Sequence, residues 1–311
     1  KQRPAYLLRP VPPKKGRKLL LERAGFIWKH ISFSWKTTLR NIARYRGRVL
    51  MTIVGVGGCT FLMFIGFAIR DCTNGVGDKQ FDEIIHYDVM TILDEDVKSY
   101  EDIPLSKDGM SRDRLDTLLR DPLMMRQETV TVRRDDNVKG ENSDYTLDAY
   151  MLVADQKNEL FERYFTLREA DPRDVKTDNG DKVINGKGEK LTLSDDGVII
   201  TPRIADTMET GIGATLIFTD SDGEKREVTV EGIAENYVSN YIYMPAALYR
   251  KIFRRGVMLN CIVSENGLGS SDITGELYTE DIFESVNTTD HILNKANEAV
   301  KGLDSIVILL V

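Results

Sequence analysis

The sequence predicts an exported α+β domain flanked by transmembrane α-helices. Three features predict it. Val49 to Ile69 holds no charged residue and lies between Arg48 and Arg70. The first 48 residues hold fourteen Lys or Arg against Glu22 alone, a charge of +13, while the remainder carries −20 of the net −7. Strand and helix signals alternate over residues 198–264, as in a mixed domain.

Residues 1–18, with four prolines and seven basic side chains, read as a cytoplasmic linker. Residues 19–47 read as an amphipathic interfacial helix. On a helical wheel Trp28, Ile31, Trp35, Leu39 and Ile42 fall within about 80°, opposite Lys29, Lys36, Arg40 and Arg44. Such a face suits the inner membrane surface, where anionic lipid attracts each cation by about 1 kcal/mol.

Residues 48–70 read as a transmembrane helix. At about 1.5 Å per residue the uncharged run spans roughly 30 Å, the thickness of a bilayer core. The basic flank places the N-terminal segment in the cytoplasm. Arg70-Asp71-Cys72 after the run argues against a cleaved signal peptide. Thr52, Gly55, Cys59 and Gly66 share an arc of about 60°, a helix-packing face of small side chains.

Residues 71–288 read as the extracytoplasmic α+β domain. Strands are expected at 84–93, 130–132 and 145–154; Ser111 is expected to cap a helix over SRDRLDTLLRD, and Asp155 another holding Leu160, Phe161 and Phe165. Residues 171–197 read as a solvated excursion. Val198 to Ile200 is a strand, Thr201-Pro202 opens a helix ended by Gly211 or Gly213, and strands 214–219 and 226–233 meet across Asp222-Gly223 as a hairpin. A strand over 241–244, a helix from Pro245 to Phe253 and a strand over 259–264 follow. Thr289 or Asp290 is expected to cap a helix carrying Ile292, Ala296, Ala299, Leu303 and Ile306, so that residues 289–311 lead into a second, truncated membrane helix.

Chemistry-bearing constellations are sparse. His30, His86 and His291 are too far apart in sequence to suggest a metal site, and H-E-x-x-H is absent. Gly180 to Gly188 has five residues between its glycines and no hydroxyl after Lys187, so it is a loop rather than a phosphate cradle. Asp220-Ser221-Asp222-Gly223 reads as a turn, not a calcium loop. Three cysteines make no disulfide framework, although a Cys72–Cys261 pair stays open. No catalytic residue, metal or cofactor is expected.

The words Leu39-Arg40-Asn41-Ile42-Ala43-Arg44-Tyr45-Arg46-Gly47-Arg48, GVIITPRIADTMETGIGATLIFTD from Gly197 and VTVEGIAENYVSNYIYMPAALY from Val228 resemble FtsX-like and MacB-like ABC transporter permeases, in particular the large multi-span type of Gram-positive bacteria. The resemblance implies a MacB-like extracytoplasmic domain and a permease that makes and breaks no bond. It implies a cytoplasmic ABC ATPase subunit, the lipid bilayer and other membrane helices of the same polypeptide as partners, and no nucleic acid. A membrane-anchored sensor or ligand-binding ectodomain is the alternative reading, and an anchored hydrolase a third.

Overall fold

The computed structural model describes residues 29–30, 32–107, 109–134, 145–155, 157–171, 188–220, 223–268, 273–295 and 298. They fall into two units divided between Ile69 and Arg70. In the first, α1 (Phe33–Arg44) ends at Tyr45, whose carbonyl accepts from the Arg48 and Val49 amides and so starts α2 (Arg46–Asp78), of which residues 70–78 belong to the second unit. The helix therefore breaks inside the expected interfacial segment. With the π-helical turn Lys79–Ile84 that continues it, α2 is the one described helix long and apolar enough to cross a membrane. Phe61, Phe64 and Phe67 on it are exposed, as are Phe33 and Trp35 on α1.

The second unit has the order β1 (Val89–Val97), α3 (Arg112–Leu118), β2 (Leu119–Arg134), β3 (Thr146–Ala154), α4 (Glu159–Tyr164), β4 (Val198–Ile200), α5 (Pro202–Thr207), β5 (Thr215–Thr219), β6 (Lys225–Ile233), β7 (Tyr241–Pro245), α6 (Ala246–Phe253), β8 (Leu259–Asn266), α7 (Ile273–Leu277), β9 (Phe283–Thr288) and α8 (289–295). The strands lie in the order β3-β7-β4-β6-β5-β2-β8-β1-β9, and β3 also pairs with β2, closing the first six into a ring. The 16-residue β2 makes this possible: residues 126–133 pair with β3, 131–134 with β5, and 119–125 with β8. A register shift between Arg120 and Leu123 brackets Asp121, which has φ 49°, and Pro122, the place where a strand tolerates proline. The fold class is α+β.

Period-two alternation divides the core. Val130, Val132, Val198, Ile200, Val228, Val230, Ile242 and Met244 share one cluster with α5 and α6, while their neighbours Ile199 and Tyr243 join Ile84, Ile85, Phe161 and Phe165 in another. A third cluster packs β1, β8 and β9 against α3 and α7.

The local rules hold where they are strongest. Thr201-Pro202 starts α5, Pro245 precedes α6, Ser111 accepts from the Arg114 amide, and β5 and β6 form the expected hairpin with Gly223 at φ +79°. Other expectations shift. The strand expected from Ile84 starts at Val89, because residues 79–84 extend the preceding helix. Leu119 opens β2 rather than ending a helix, and Asn158, not Asp155, caps α4 through the Leu160 amide at 3.0 Å. Thr288 accepts from the His291 amide at 3.2 Å and so begins α8 one residue early. Ala296, Ala299, Leu303 and Ile306 lie outside the described residues, as does the loop 180–187. Cys72 and Cys261 do not pair: Cys72 is exposed, and Cys261 is buried in β8, where burial pushes its thiol up.

The loop before α3 is held by one buried carboxylate. Glu280 accepts from the Ser106 amide at 2.8 Å and from the Met110 amide, and a side chain at Gly109 would strike it. Burial alone would raise its pKa; the amide donors outweigh burial and hold it below the usual carboxylate value. A depressed folded pKa gives stability that is present above the unfolded value of about 4.3 and lost as pH falls through the folded one. Glu280→Gln is therefore expected to lower stability at neutral pH and to flatten the acid limb of the unfolding midpoint below about pH 4, measured by denaturant titration across pH.

Candidate functional site

The residues that follow α2 are built into the domain rather than appended to it. At the π-turn, the Ile85 amide donates back to the Gln80 carbonyl at 2.9 Å, the five-residue spacing that defines such a turn. This widened turn directs Gln80 inward, where it is fully buried. Its Nε2 donates to Asn236 Oδ1 at 2.9 Å, and its Oε1 accepts from the Tyr237 amide at 2.8 Å. Asn236 is held in one orientation, because its Nδ2 donates to the carbonyls of Val238 at 2.6 Å and Ser239 at 2.9 Å. The side chain thus pairs with the 236–239 loop as a strand would.

Charged groups surround this amide pair. Arg168 donates to Glu83 on the π-turn and to Glu235 beside the loop. Tyr237 donates to Glu235, and Lys79 Nζ donates to the Tyr237 hydroxyl at 3.1 Å with its charge 5.3 Å from the ring centroid. Burial would raise Glu235, but the Arg168 and Tyr237 hydrogen bonds prevail and hold its carboxyl below the usual range. The hydrogen bond to Tyr237 is the main reason Lys79 is raised, and burial leads the causes that raise Tyr237. Both Lys79 and Glu235 therefore stay charged at neutral pH.

Apolar contacts complete the joint. Ile84 and Ile85 are buried with the stacked Phe161–Phe165 pair, whose centroids are 5.1 Å apart, and with Tyr243. Ile85 bridges Phe165, the Thr166 amide donates to the Ile84 carbonyl at 2.9 Å, and His86 Nε2 lies 2.9 Å from Thr166 Oγ1. The imidazole thus serves the linker before β1.

The two ends of the domain lie side by side. β1, which follows the joint, pairs antiparallel with β9, and Val89 stands opposite Thr288. Thr289 then donates from its amide to the Asp88 carbonyl and from its hydroxyl to the Tyr87 carbonyl, both at 2.9 Å. A Cβ placed on Gly77 would lie 3.3 Å from Leu293 Cδ2, so α8 packs on the end of α2. Gly at 77 is what permits this close approach.

None of the residues singled out on the helices belongs to this joint. Thr52 and Cys59 are exposed on α2, a Cβ at Gly55 would meet nothing within 4 Å, and Gly66 is half-buried. Thr52 Oγ1 donates to the Arg48 carbonyl at 3.0 Å. On α1, Trp35 and Ile42 are exposed and Leu39 is half-buried; Trp28 and Ile31 lie outside the described residues. Sequence reasoning missed Gln80, Asn236 and Arg168. The available signal was a Gln at the end of a membrane-length helix, just before an apolar pair. Among the described residues no group of three His, Cys, Asp or Glu is placed to hold a metal ion.

No protein-family model matches the chain, and no curated protein matches it. Among solved structures it is similar to the periplasmic region of MacB from Actinobacillus actinomycetemcomitans, at 11% identity over 68% of this chain and 94% of that one, with a TM-score of 0.33. It is also similar to the extracellular domain of the noncanonic ABC-type transporter YknZ from Gram-positive bacteria, at 14% identity over 60% of this chain and 88% of that one, with a TM-score of 0.29.

Proposed function

We propose that the chain is the membrane-anchored, extracytoplasmic part of an ABC-transporter-type permease, which passes movement of its helices to the domain and itself catalyses no reaction. A separate cytoplasmic ATPase supplies the energy, and the basic N-terminal segment stays on its side of the bilayer. The observation that carries the reading is the adjacency of the domain's two ends. Because Val89 and Thr288 face each other on paired strands, helices α2 and α8 leave from one place. A change in either helix then acts on the same two strands, which continue through β8 into the ring. The buried Gln80 side chain ties the turn that follows α2 to the 236–239 loop, so the first of these attachments is made inside the domain itself.

Residue 268 provides the test, since Leu268 is exposed on the loop after β8. With Cys59 and Cys72 changed to Ala, Leu268→Cys in the protein of intact cells is expected to react with a membrane-impermeant maleimide. A nucleotide-hydrolysing subunit is expected to co-purify with the same protein. Reaction only after lysis overturns the orientation, and purification without any ATPase overturns the transporter reading.

A further inference from the structure

A cleft of about 220 Å³ lies between α4 and residues 190–193. Phe161, Phe165, Leu167, Leu191 and Leu193 make most of its lining apolar, and Glu162, Lys190 and Thr192 complete it. An apolar cavity of about 150 Å³ already takes a benzene-sized group, so one leucine or phenylalanine side chain fits here.

The main chain along one wall is only half used. The Leu191 amide donates to the Leu167 carbonyl at 2.8 Å and the Glu169 amide to the Glu189 carbonyl at 2.9 Å, so residues 189 and 191 face the neighbouring segment. The N–H and C=O groups of Lys190 and Thr192 have no hydrogen-bond partner among the described residues, and both residues are exposed. Charge around the cleft is mostly negative. Glu162 takes up Lys190 at 2.6 Å, and Arg163 on the same helix is held by Asp121 and Glu265. Glu159, two residues before Phe161, and Glu189, beside Lys190, are exposed and have no ion-pair partner among the described residues.

We infer that this cleft docks an extended, basic segment of a partner protein, with one leucine- or phenylalanine-sized side chain seated between α4 and Leu193. Each property of the surface selects one property of the occupant. The apolar walls take the side chain, and the carboxylates of Glu159 and Glu189 complement Lys or Arg beside it. The unpaired groups of Lys190 and Thr192 require a main chain, because a hydrocarbon tail laid there would leave them without water or partner. Docking needs neither nucleotide nor a second subunit, so its outcome is separate from that of the transporter reading.

The test uses the whole chain in non-ionic detergent and a fluorescein-labelled peptide, Lys-Ser-Lys-Leu-Lys-Ser-Lys, followed by fluorescence anisotropy. Saturable binding to the parent is expected. Leu193→Asp, which puts a charge into the cleft, and Glu189→Lys, which is exposed and leaves the core untouched, are each expected to weaken it about tenfold. Two peptides N-methylated at alternate residues separate main-chain pairing from charge alone. One of them is expected to bind about tenfold more weakly and the other as before, since an extended segment turns only every second amide toward Lys190 and Thr192. Absence of saturable binding to the parent overturns the proposal. Binding that Glu189→Lys leaves unchanged, or that both N-methylated peptides keep in full, overturns it as well.

Discussion

Glu128→Ala is expected to lower the stability of the domain by about 3 kcal/mol, the low end of the range for breaking a buried ion pair. Glu128 is 7% exposed in the middle of β2. Its carboxylate accepts from Arg126 Nε at 3.1 Å, from Arg255 Nη2 at 3.0 and 3.2 Å, and from the Tyr249 hydroxyl at 3.3 Å. Arg126 continues to Asp96 on β1 at 2.8 Å, and Arg255 Nη2 lies 3.7 Å from Asp220 in the β5–β6 turn. Both guanidiniums also lie within 6 Å of the Tyr249 ring centroid. Removing the carboxylate leaves two cations around one phenol. The loss stays near 3 kcal/mol because the Arg255 side chain is 35% exposed and water compensates part of its charge. Glu128→Gln keeps the shape and is expected to cost about half as much. Denaturant titration of both variants checks the order.

Gln80→Ala is expected to cost about 2–4 kcal/mol, since it strips partners from two groups, Asn236 Oδ1 and the Tyr237 amide, each worth about 1–2 kcal/mol when left unpaired. Its effect is also local. Hydrogen exchange of the amides at 236–240 is expected to accelerate well before that of β6, because the loop loses its strand-like partner while the ring remains closed. Gln80→Glu is expected to fail as well. Asn236 cannot turn its amide to donate to a carboxylate without abandoning Val238 and Ser239, so two oxygens would face each other. Rescue by glutamate would show that the loop adapts and that the joint is compliant.

Sequence legibility followed the range of the interaction. The hairpin at Gly223, the proline-marked starts of α5 and α6 and the Ser111 cap are decided within four residues, and each was readable. The joint was not, because Gln80 and its partner Asn236 stand 156 positions apart. Ile84 and Ile85 looked like the head of a strand, since an apolar pair before β-branched residues has the same composition whether it lies in a strand or plugs an aromatic cluster. Leu119 failed similarly: its burial serves a strand whose length is set by pairing with β8. Closure of the ring depends on β2 meeting both β3 and β5, a matter of register between distant segments that periodicity does not encode. The small-residue face of α2 was legible only as a pattern on one helix.

Paired strands β1 and β9 bring α2 and α8 together where the chain leaves its domain. In the membrane-embedded protein, with Cys59 and Cys72 replaced by Ala, Gly77→Cys and Leu293→Cys are to be treated with a short bifunctional thiol reagent. An intramolecular link is expected to form in the double variant and in neither single variant. Absence of that link, with both thiols shown to react singly, would contradict that adjacency.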